Sequence, residues 1–120
     1  MQHGYVSQAC VTCCAPSFRF RRFIYGPIVL PVHVEDLNLF PDSQLVLPII
    51  GIDHTYELIG VICYGEHHFT SRYIDRQRVV WYNDGMVHRR NCVREGHIYD
   101  MDLRMLPDGR KDTIYFYVLL

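Results

Sequence analysis

The sequence predicts a mostly β chain built on an antiparallel sheet, and three observations support this fold class. Nine tyrosines and six phenylalanines accompany many valines and isoleucines, which are the residue types that favour strands. These residues lie mostly in short runs that end at Gly, Pro or Asp. No long window keeps the apolar period of a helix. With 120 residues, 49% of them hydrophobic and 21% charged, the chain is predicted to form a single domain.

Five apolar runs are predicted to be strands because each is bounded by turn-forming residues. They are Ile28 to Val34, Tyr56 to Tyr64, Phe69 to Ile74, Val79 to Tyr82 and Ile114 to Leu119. The second and third are joined through Gly65, and the fourth is followed by the turn signal Asp84-Gly85.

One further segment is predicted to be extended. His97 to Leu106 is followed by Pro107-Asp108-Gly109, a sequence that favours a tight turn. Such a turn would let this segment pair antiparallel with the last strand.

Charge and hydropathy exclude several classes of partner. Twelve basic residues against thirteen acidic ones give a net charge of −1, which argues against nucleic acid as a partner. No stretch approaches the roughly 20 apolar residues that span a bilayer, so no membrane partner is predicted. The arginine groups, such as Arg89 and Arg90, fit a solvated surface better than a carboxylate-binding site.

The cysteines indicate a reducing compartment. Their number is odd, five in all, and Cys10, Cys13 and Cys14 are crowded together, which does not suit a disulfide scaffold. The N-terminus also lacks a charged leader followed by an apolar run. A cytoplasmic or nuclear location is therefore expected.

Cys10 and Cys13 have the spacing of one zinc knuckle, which supplies two of the four ligands of a tetrahedral site. No second Cys-x-x-Cys is present, and Cys63 and Cys92 stand alone. No cofactor is predicted for the chain by itself, and zinc is expected only with ligands from outside it.

The densest polar group, residues 65–73, is followed by a second one, Trp81 to Gly85. If these segments lie on neighbouring strands, a histidine at the start of one can share a hydrogen bond with an Asn or Asp at the end of the other. That bond would set the imidazole tautomer and leave the second ring nitrogen free to act as a base. The alternative is a pair of surface histidines beside a polar hairpin.

The order of the motifs resembles the C-terminal half of a ubiquitin-specific protease domain, and the likeness spans nearly the whole chain. The matching stretches are Cys10 to Cys13, Pro27 to Val34, Tyr56 to Ile62, His68 to Tyr73 and Trp81 to Asp84. The most specific part is His68-Phe69-Thr70 with the downstream Trp and Asn-Asp. In that family the histidine box reads Gly-His-Tyr/Phe-Thr and the following box reads Trp-Tyr-x-Phe-Asn/Asp-Asp.

The resemblance implies roles for three residues. His68 matches the catalytic base, Asn83 matches the residue that orients it, and Asp84 matches the second acidic position of the same box. His67 stands where the family commonly has glycine, and the spacing from Trp81 to Asn83 is shorter by two residues. Either Asn83 or Asp84 is therefore a candidate for the orienting partner.

The family's nucleophile lies in an upstream Gly-Asn-Thr-Cys box, and this sequence contains no such box. The resemblance thus implies a partial ubiquitin-specific-protease-like domain over residues 1–120, an antiparallel segment of a papain-like α+β cysteine protease fold. Its expected partner is ubiquitin or a ubiquitinated protein, and it is expected to be inactive alone. One alternative is a non-catalytic ubiquitin-binding or protein-interaction module derived from that fold. Another is a small β-domain whose similarity is coincidental.

Overall fold

The computed structural model describes residues 2–9, 12–13, 16–34, 42–104 and 110–120. Within them lie nine strands, one short helix and one 3-10 turn. The strands are β1 (Gln2–Ala9), β2 (Pro16–Arg22), β3 (Val29–His33), β4 (Gln44–Ile49), β5 (Ile52–Gly65), β6 (His68–Ile74), β7 (Val79–Asn83), β8 (Val93–His97) and β9 (Lys111–Leu119). The helix α1 is Gly85–His88, and the 3-10 turn is Ile98–Asp100. The prediction of a mostly β, antiparallel chain is confirmed.

Strand β5 is the centre of a seven-stranded sheet. The order is β3-β9-β5-β6-β7-β8, with β4 paired to β5 beside β6. The first part of β5, residues 52–57, pairs with β4, and its last part, residues 60–65, pairs with β6. All pairings are antiparallel, and β1 and β2 form a separate two-stranded sheet.

Two tight turns place strands next to β5. Ile50 and Gly51 join β4 to β5 with φ values of 51° and 75°, and Glu66 and His67 join β5 to β6 with φ values of 52° and 58°. Two-residue turns with positive φ at both positions match the twist of the strands that they connect. Glycine adopts this conformation easily, but Glu66 and His67 do so against the steric preference of L-residues.

The core lies on one face of the sheet. Strand β6 alternates, so that His68, Thr70, Arg72 and Ile74 face the core while Phe69 and Tyr73 are exposed. The buried apolar residues are Leu30, Val34, Leu47, Ile49, Tyr56, Leu58, Val61, Cys63, Ile74, Val80, Ile98, Leu103, Tyr115 and Tyr117.

The buried Arg72 joins residues of β8 and of the segment after the 3-10 turn to this core. The Arg72 guanidinium donates from Nε and Nη2 to the two carboxylate oxygens of Glu95, each at 2.8 Å, and from Nη1 to the Leu103 carbonyl at 2.7 Å. This bidentate geometry joins β6 to β8 and to the segment after the 3-10 turn.

The five predicted strands correspond to β3, β5, β6, β7 and β9, and they are confirmed with small changes at their ends. The predicted pairing of His97 to Leu106 with the last strand is wrong. Strand β9 already pairs with β3 on one side and β5 on the other, so it has no edge left. Strand β8 pairs with β7 instead. The turn signal Pro107-Asp108-Gly109 lies outside the described residues, whereas Asp84-Gly85 begins α1.

Candidate functional site

His68 and Asp84 meet at one end of the core face. His68 is the first residue of β6, directly after the Glu66-His67 turn, and Asp84 directly follows β7. The imidazole Nε2 lies 2.6 Å from Asp84 Oδ1. Their side chains are 18% and 11% exposed, so each keeps a small solvent-accessible surface. The short hydrogen bond is shielded, and yet the imidazole is still accessible.

Asp84 is also the N-cap of α1. Its Oδ1 accepts a hydrogen bond from the Met86 backbone N–H at 3.0 Å, as N-cap carboxylates commonly do. Burial raises the pKa of the Asp84 carboxyl, but the hydrogen bonds from His68 and Met86 outweigh it and lower the pKa overall. Asp84 is therefore a carboxylate at neutral pH, an acceptor that requires a proton on His68 Nε2.

This proton placement leaves His68 Nδ1 as the basic nitrogen of the neutral ring. Within the described part of the chain, only Asp84 hydrogen-bonds to the His68 ring. An imidazole held through one nitrogen by a carboxylate can take a proton on the other. The arrangement can therefore perform general acid–base chemistry on a group brought to Nδ1.

Asn83 points to the opposite face of the sheet. It pairs with Ser71 in the ladder between β6 and β7, and directly paired residues in antiparallel strands project to the same side. Ser71 and His68 are an odd number of residues apart, so they project to opposite sides. The Asn83 amide donates instead to the carbonyls of Arg89 at 3.1 Å and Asn91 at 2.7 Å. Of the two predicted partners, the structure brings only Asp84 to His68.

His88 is a residue of this site that was not predicted from the sequence. Its Nδ1 accepts a hydrogen bond from the Asp84 backbone N–H at 3.1 Å. Its ring meets the Tyr82 ring edge-on, with the ring centroids 5.7 Å apart. The signal available in the sequence was the spacing of four between Asp84 and His88, which brings residues together on one turn of helix.

The residues beside His68 pack closely. Gly65 pairs with His68 across the β5–β6 hairpin, and a Cβ added there would lie 3.0 Å from Arg110 Cγ and 3.2 Å from Arg110 Cα. A larger residue at Gly65 would therefore require Arg110 to shift by a few tenths of an ångström. On the next core-facing pair, Cys63 and Thr70 are both buried, and the Thr70 hydroxyl has no hydrogen-bond partner among the described residues.

The proposed zinc half-site lies only partly within the described residues. Cys13 is exposed, while Cys10 lies outside them, so their separation is not defined. Among the described residues there is no group of three or more His, Cys, Asp or Glu side chains that could hold a metal ion.

An open cleft of about 400 Å³ lies on another part of the molecule, and its lining includes Asp42, Tyr99 and Asp102 but not His68 or Asp84.

Comparison with known proteins adds no relative to this picture. No protein-family model matches the sequence, and no curated protein matches it. In the described residues there is also no helix long and apolar enough to cross a membrane.

Proposed function

We propose that this chain is a partial ubiquitin-specific-protease-like domain that supplies the base and the orienting carboxylate of a thiol-dependent deubiquitinase. In this proposal the antiparallel sheet is part of a papain-like α+β fold. The observation that carries it is the 2.6 Å hydrogen bond between His68 and Asp84, formed by residues that lie in the histidine box and in the box that follows it.

The proposed reaction uses His68 Nδ1, the ring nitrogen that is not hydrogen-bonded to Asp84. In a complete site, His68 Nδ1 takes the proton of a cysteine thiol as the sulfur attacks the carbonyl carbon of ubiquitin's C-terminal glycine. The imidazolium then protonates the leaving amine as the bond between that carbon and nitrogen breaks. Water next attacks the thioester carbonyl and gives a proton to His68 Nδ1, and the imidazolium returns this proton to the sulfur as the carbon–sulfur bond breaks and the thiol is released. Asp84 stabilises the imidazolium and holds the ring in one tautomer.

The nucleophile of this reaction has to come from outside these 120 residues, because no Gly-Asn-Thr-Cys box is among them. Cys63 faces the core beside Thr70 and has no exposed surface, so a substrate carbonyl cannot reach its sulfur. Cys13 and Cys92 are exposed, but among the described residues neither thiol has a hydrogen bond to an imidazole. The chain alone is therefore proposed to be inactive.

The experiment that tests the proposal uses isotope-labelled chain titrated with ubiquitin and followed by NMR. The proposal expects shift changes at His68, Asp84 and their neighbours, and smaller changes with ubiquitin truncated at its C-terminus, which is the matched control. Release of a fluorophore from a ubiquitin C-terminal amide is measured in parallel, with the chain and with a Cys→Ala variant of each cysteine. Absence of ubiquitin binding would refute the proposal. Cysteine-dependent turnover by the chain alone would refute the statement that its nucleophile has to come from outside these 120 residues.

A second candidate is a non-catalytic ubiquitin-binding or protein-interaction module with the same fold. The observation that favours it is the exposed aromatic surface on the face of the sheet opposite the core, where Phe69 is 60% and Tyr73 55% exposed. The Tyr64 ring packs on Phe69 with centroids 4.5 Å apart. The same NMR titration separates the two candidates, because this one expects shift changes at Phe69 and Tyr73 that ubiquitin truncation leaves unchanged.

A further inference from the structure

We propose that His88 is a positioning residue that holds Asp84 in the orientation in which its carboxylate meets His68. That His88 positions the partner of a catalytic base rests on the proposed function. The hydrogen bonds between His88, Asp84 and His68 do not depend on that function. His88 touches neither His68 nor any reacting atom in this scheme, and it acts through the backbone of Asp84.

Hydrogen bonds occupy the carbonyl, the carboxylate and the backbone N–H of Asp84. Its carbonyl accepts from the backbone N–H groups of Val87 at 3.0 Å and His88 at 2.7 Å. Its carboxylate accepts from Met86 N–H and from His68. The remaining backbone group is the Asp84 N–H, and His88 Nδ1 accepts it at 3.1 Å. One side chain thus completes the hydrogen bonding of the residue that orients His68.

This contact matters because it restrains the Asp84 N–H, on the side of the residue that the helical hydrogen bonds of its carbonyl do not reach. Gly85 follows Asp84, and a Cβ at Gly85 would meet only Asn83 Oδ1, at 3.9 Å. A glycine in open space gives the backbone freedom to rotate. Asp84 is 7% exposed, so its N–H, once deprived of His88, would lack a partner in a place that water reaches poorly. The backbone would then turn, and the carboxylate would move with it.

The hydrogen bond also fixes the state of the His88 ring. A ring nitrogen that accepts a hydrogen bond carries no proton, so the neutral ring of His88 has its proton on Nε2. The edge-on contact with Tyr82 keeps the ring in the plane that this bond requires. Tyr82 is the next-to-last residue of β7 and pairs with Arg72 of β6, so the contact joins α1 to the end of β7.

Two variants of the full chain separate the acceptor from the ring. His88→Asn keeps an acceptor oxygen close to the place of Nδ1 but removes the ring, whereas His88→Phe keeps the ring and removes the acceptor. The readouts are the tautomer of the His68 imidazole, from nitrogen-15 correlation spectra at about pH 8, where an ordinary imidazole is neutral, and hydrogen exchange at the Asp84 amide. Neither readout needs ubiquitin, so failure here is distinct from failure of the proposed function.

The wild type and His88→Asn are expected to show His68 as a single tautomer with its proton on Nε2. His88→Phe is expected to show mixed tautomers and an Asp84 amide that exchanges about tenfold faster, as loss of one hydrogen bond implies. His68 spectra that are unchanged in His88→Phe would overturn the proposal. Equal disturbance in both variants would also overturn it, because the ring and not the acceptor would then matter. If His88→Phe does not fold, His88→Gln, which shifts the acceptor toward the place of Nε2, replaces it with the same expected changes.

Discussion

His68 Nε2 donates to Asp84 Oδ1 across 2.6 Å, although the two residues are 16 positions apart in the chain. The bond forms because β6 begins and β7 ends at the same end of the sheet, and because both side chains project from the core face. The Asp84 carboxyl has a lowered pKa, so the bond joins a carboxylate to an N–H donor. Such charge-assisted bonds are stronger than neutral ones and set the tautomer of the ring.

Asp84→Asn is expected to let the neutral His68 ring populate both tautomers. The amide has both a donor and an acceptor, so it no longer requires a proton on Nε2. The imidazole nitrogen spectrum of His68 should change from one tautomer to a mixture. The matched control is Asn83→Ala, which removes the hydrogen bonds to Arg89 and Asn91 and should leave the His68 signals as they are. A larger change at His68 in Asn83→Ala would show that the wrong partner has been assigned.

The sequence was sufficient to predict five of the nine described strands, but it predicted neither β1, β2, β4 and β8 nor the way in which the strands pair. Runs such as that of β5 are apolar enough to be recognised, whereas β4 contains Pro48, a residue that argues against a strand unless the strand has an unpaired edge. The turn signal at 107–109 is local and says nothing about which strands already occupy both sides of β9. That depends on contacts between residues far apart in the chain.

The choice between Asn83 and Asp84 depended on the same missing information. Residues next to each other on a strand project to opposite faces, so one of the two had to point away from His68. Which one does so depends on the register between β6 and β7, set by the turn at Asp75 and Arg78. His88 was missed because a helix of four residues gives no periodic signal.

Arg72→Met is expected to lower the free energy of unfolding by about 2 kcal/mol, as loss of charge-assisted hydrogen bonds from a buried arginine typically does. The Arg72 side chain is 2% exposed and that of Glu95 is 22% exposed, so the variant leaves a partly solvated carboxylate and a buried Leu103 carbonyl without their donor. Urea denaturation measures the change. Arg76→Met, at an exposed arginine, is the control and should stay within about 0.5 kcal/mol. Equal losses in the two variants would mean that the ion pair contributes nothing specific.

Acid should weaken the turn between β6 and β7. Asp75 accepts from Trp81 Nε1 at 2.9 Å and from Val79 N–H at 3.0 Å, and these bonds lower the pKa of its carboxyl below 3.8. Because the folded-state pKa is the lower one, the stabilisation is complete above the unfolded value and is lost as the pH falls through the folded value. Trp81 is the single tryptophan, so its fluorescence should report this loss. Asp75→Asn should remove the acid transition, and a transition that persists in it would contradict the assignment.

Alkali should unfold the core through its tyrosines. Burial, and then the carboxylate of Asp42, raise the pKa of Tyr117 to about 12, and burial raises the pKa of Tyr56 and Tyr115 as well. Since the folded-state pKa of each is raised, the stabilisation is complete below the unfolded value near 10.0 and is lost as the pH rises above it. For Tyr117 the loss is about 1.4 kcal/mol per pH unit between about pH 10 and 12.

The measurement is urea denaturation at a series of alkaline pH values. Tyr117→Phe should flatten the dependence between about pH 10 and 12, although it also loses the hydrogen bond to the Asp42 carbonyl. Tyr99→Phe, at a tyrosine that is 72% exposed, is the matched control and should follow the wild type. If the free energy of unfolding falls equally with pH in Tyr117→Phe and in the wild type, ionisation of Tyr117 is not coupled to unfolding.

His67→Gly is expected to stabilise the protein without disturbing the His68–Asp84 bond. His67 has φ of 58° in the turn before β6, a conformation that costs an L-residue about 1–2 kcal/mol. Glycine avoids this strain but loses about 0.5–1 kcal/mol in chain entropy, so a net gain of up to about 1 kcal/mol is expected. Gly51→Ala, with φ of 75° at the matching turn, should change stability in the opposite direction. Destabilisation by His67→Gly in urea denaturation would show that the His67 side chain makes a contact worth more than the strain of its backbone.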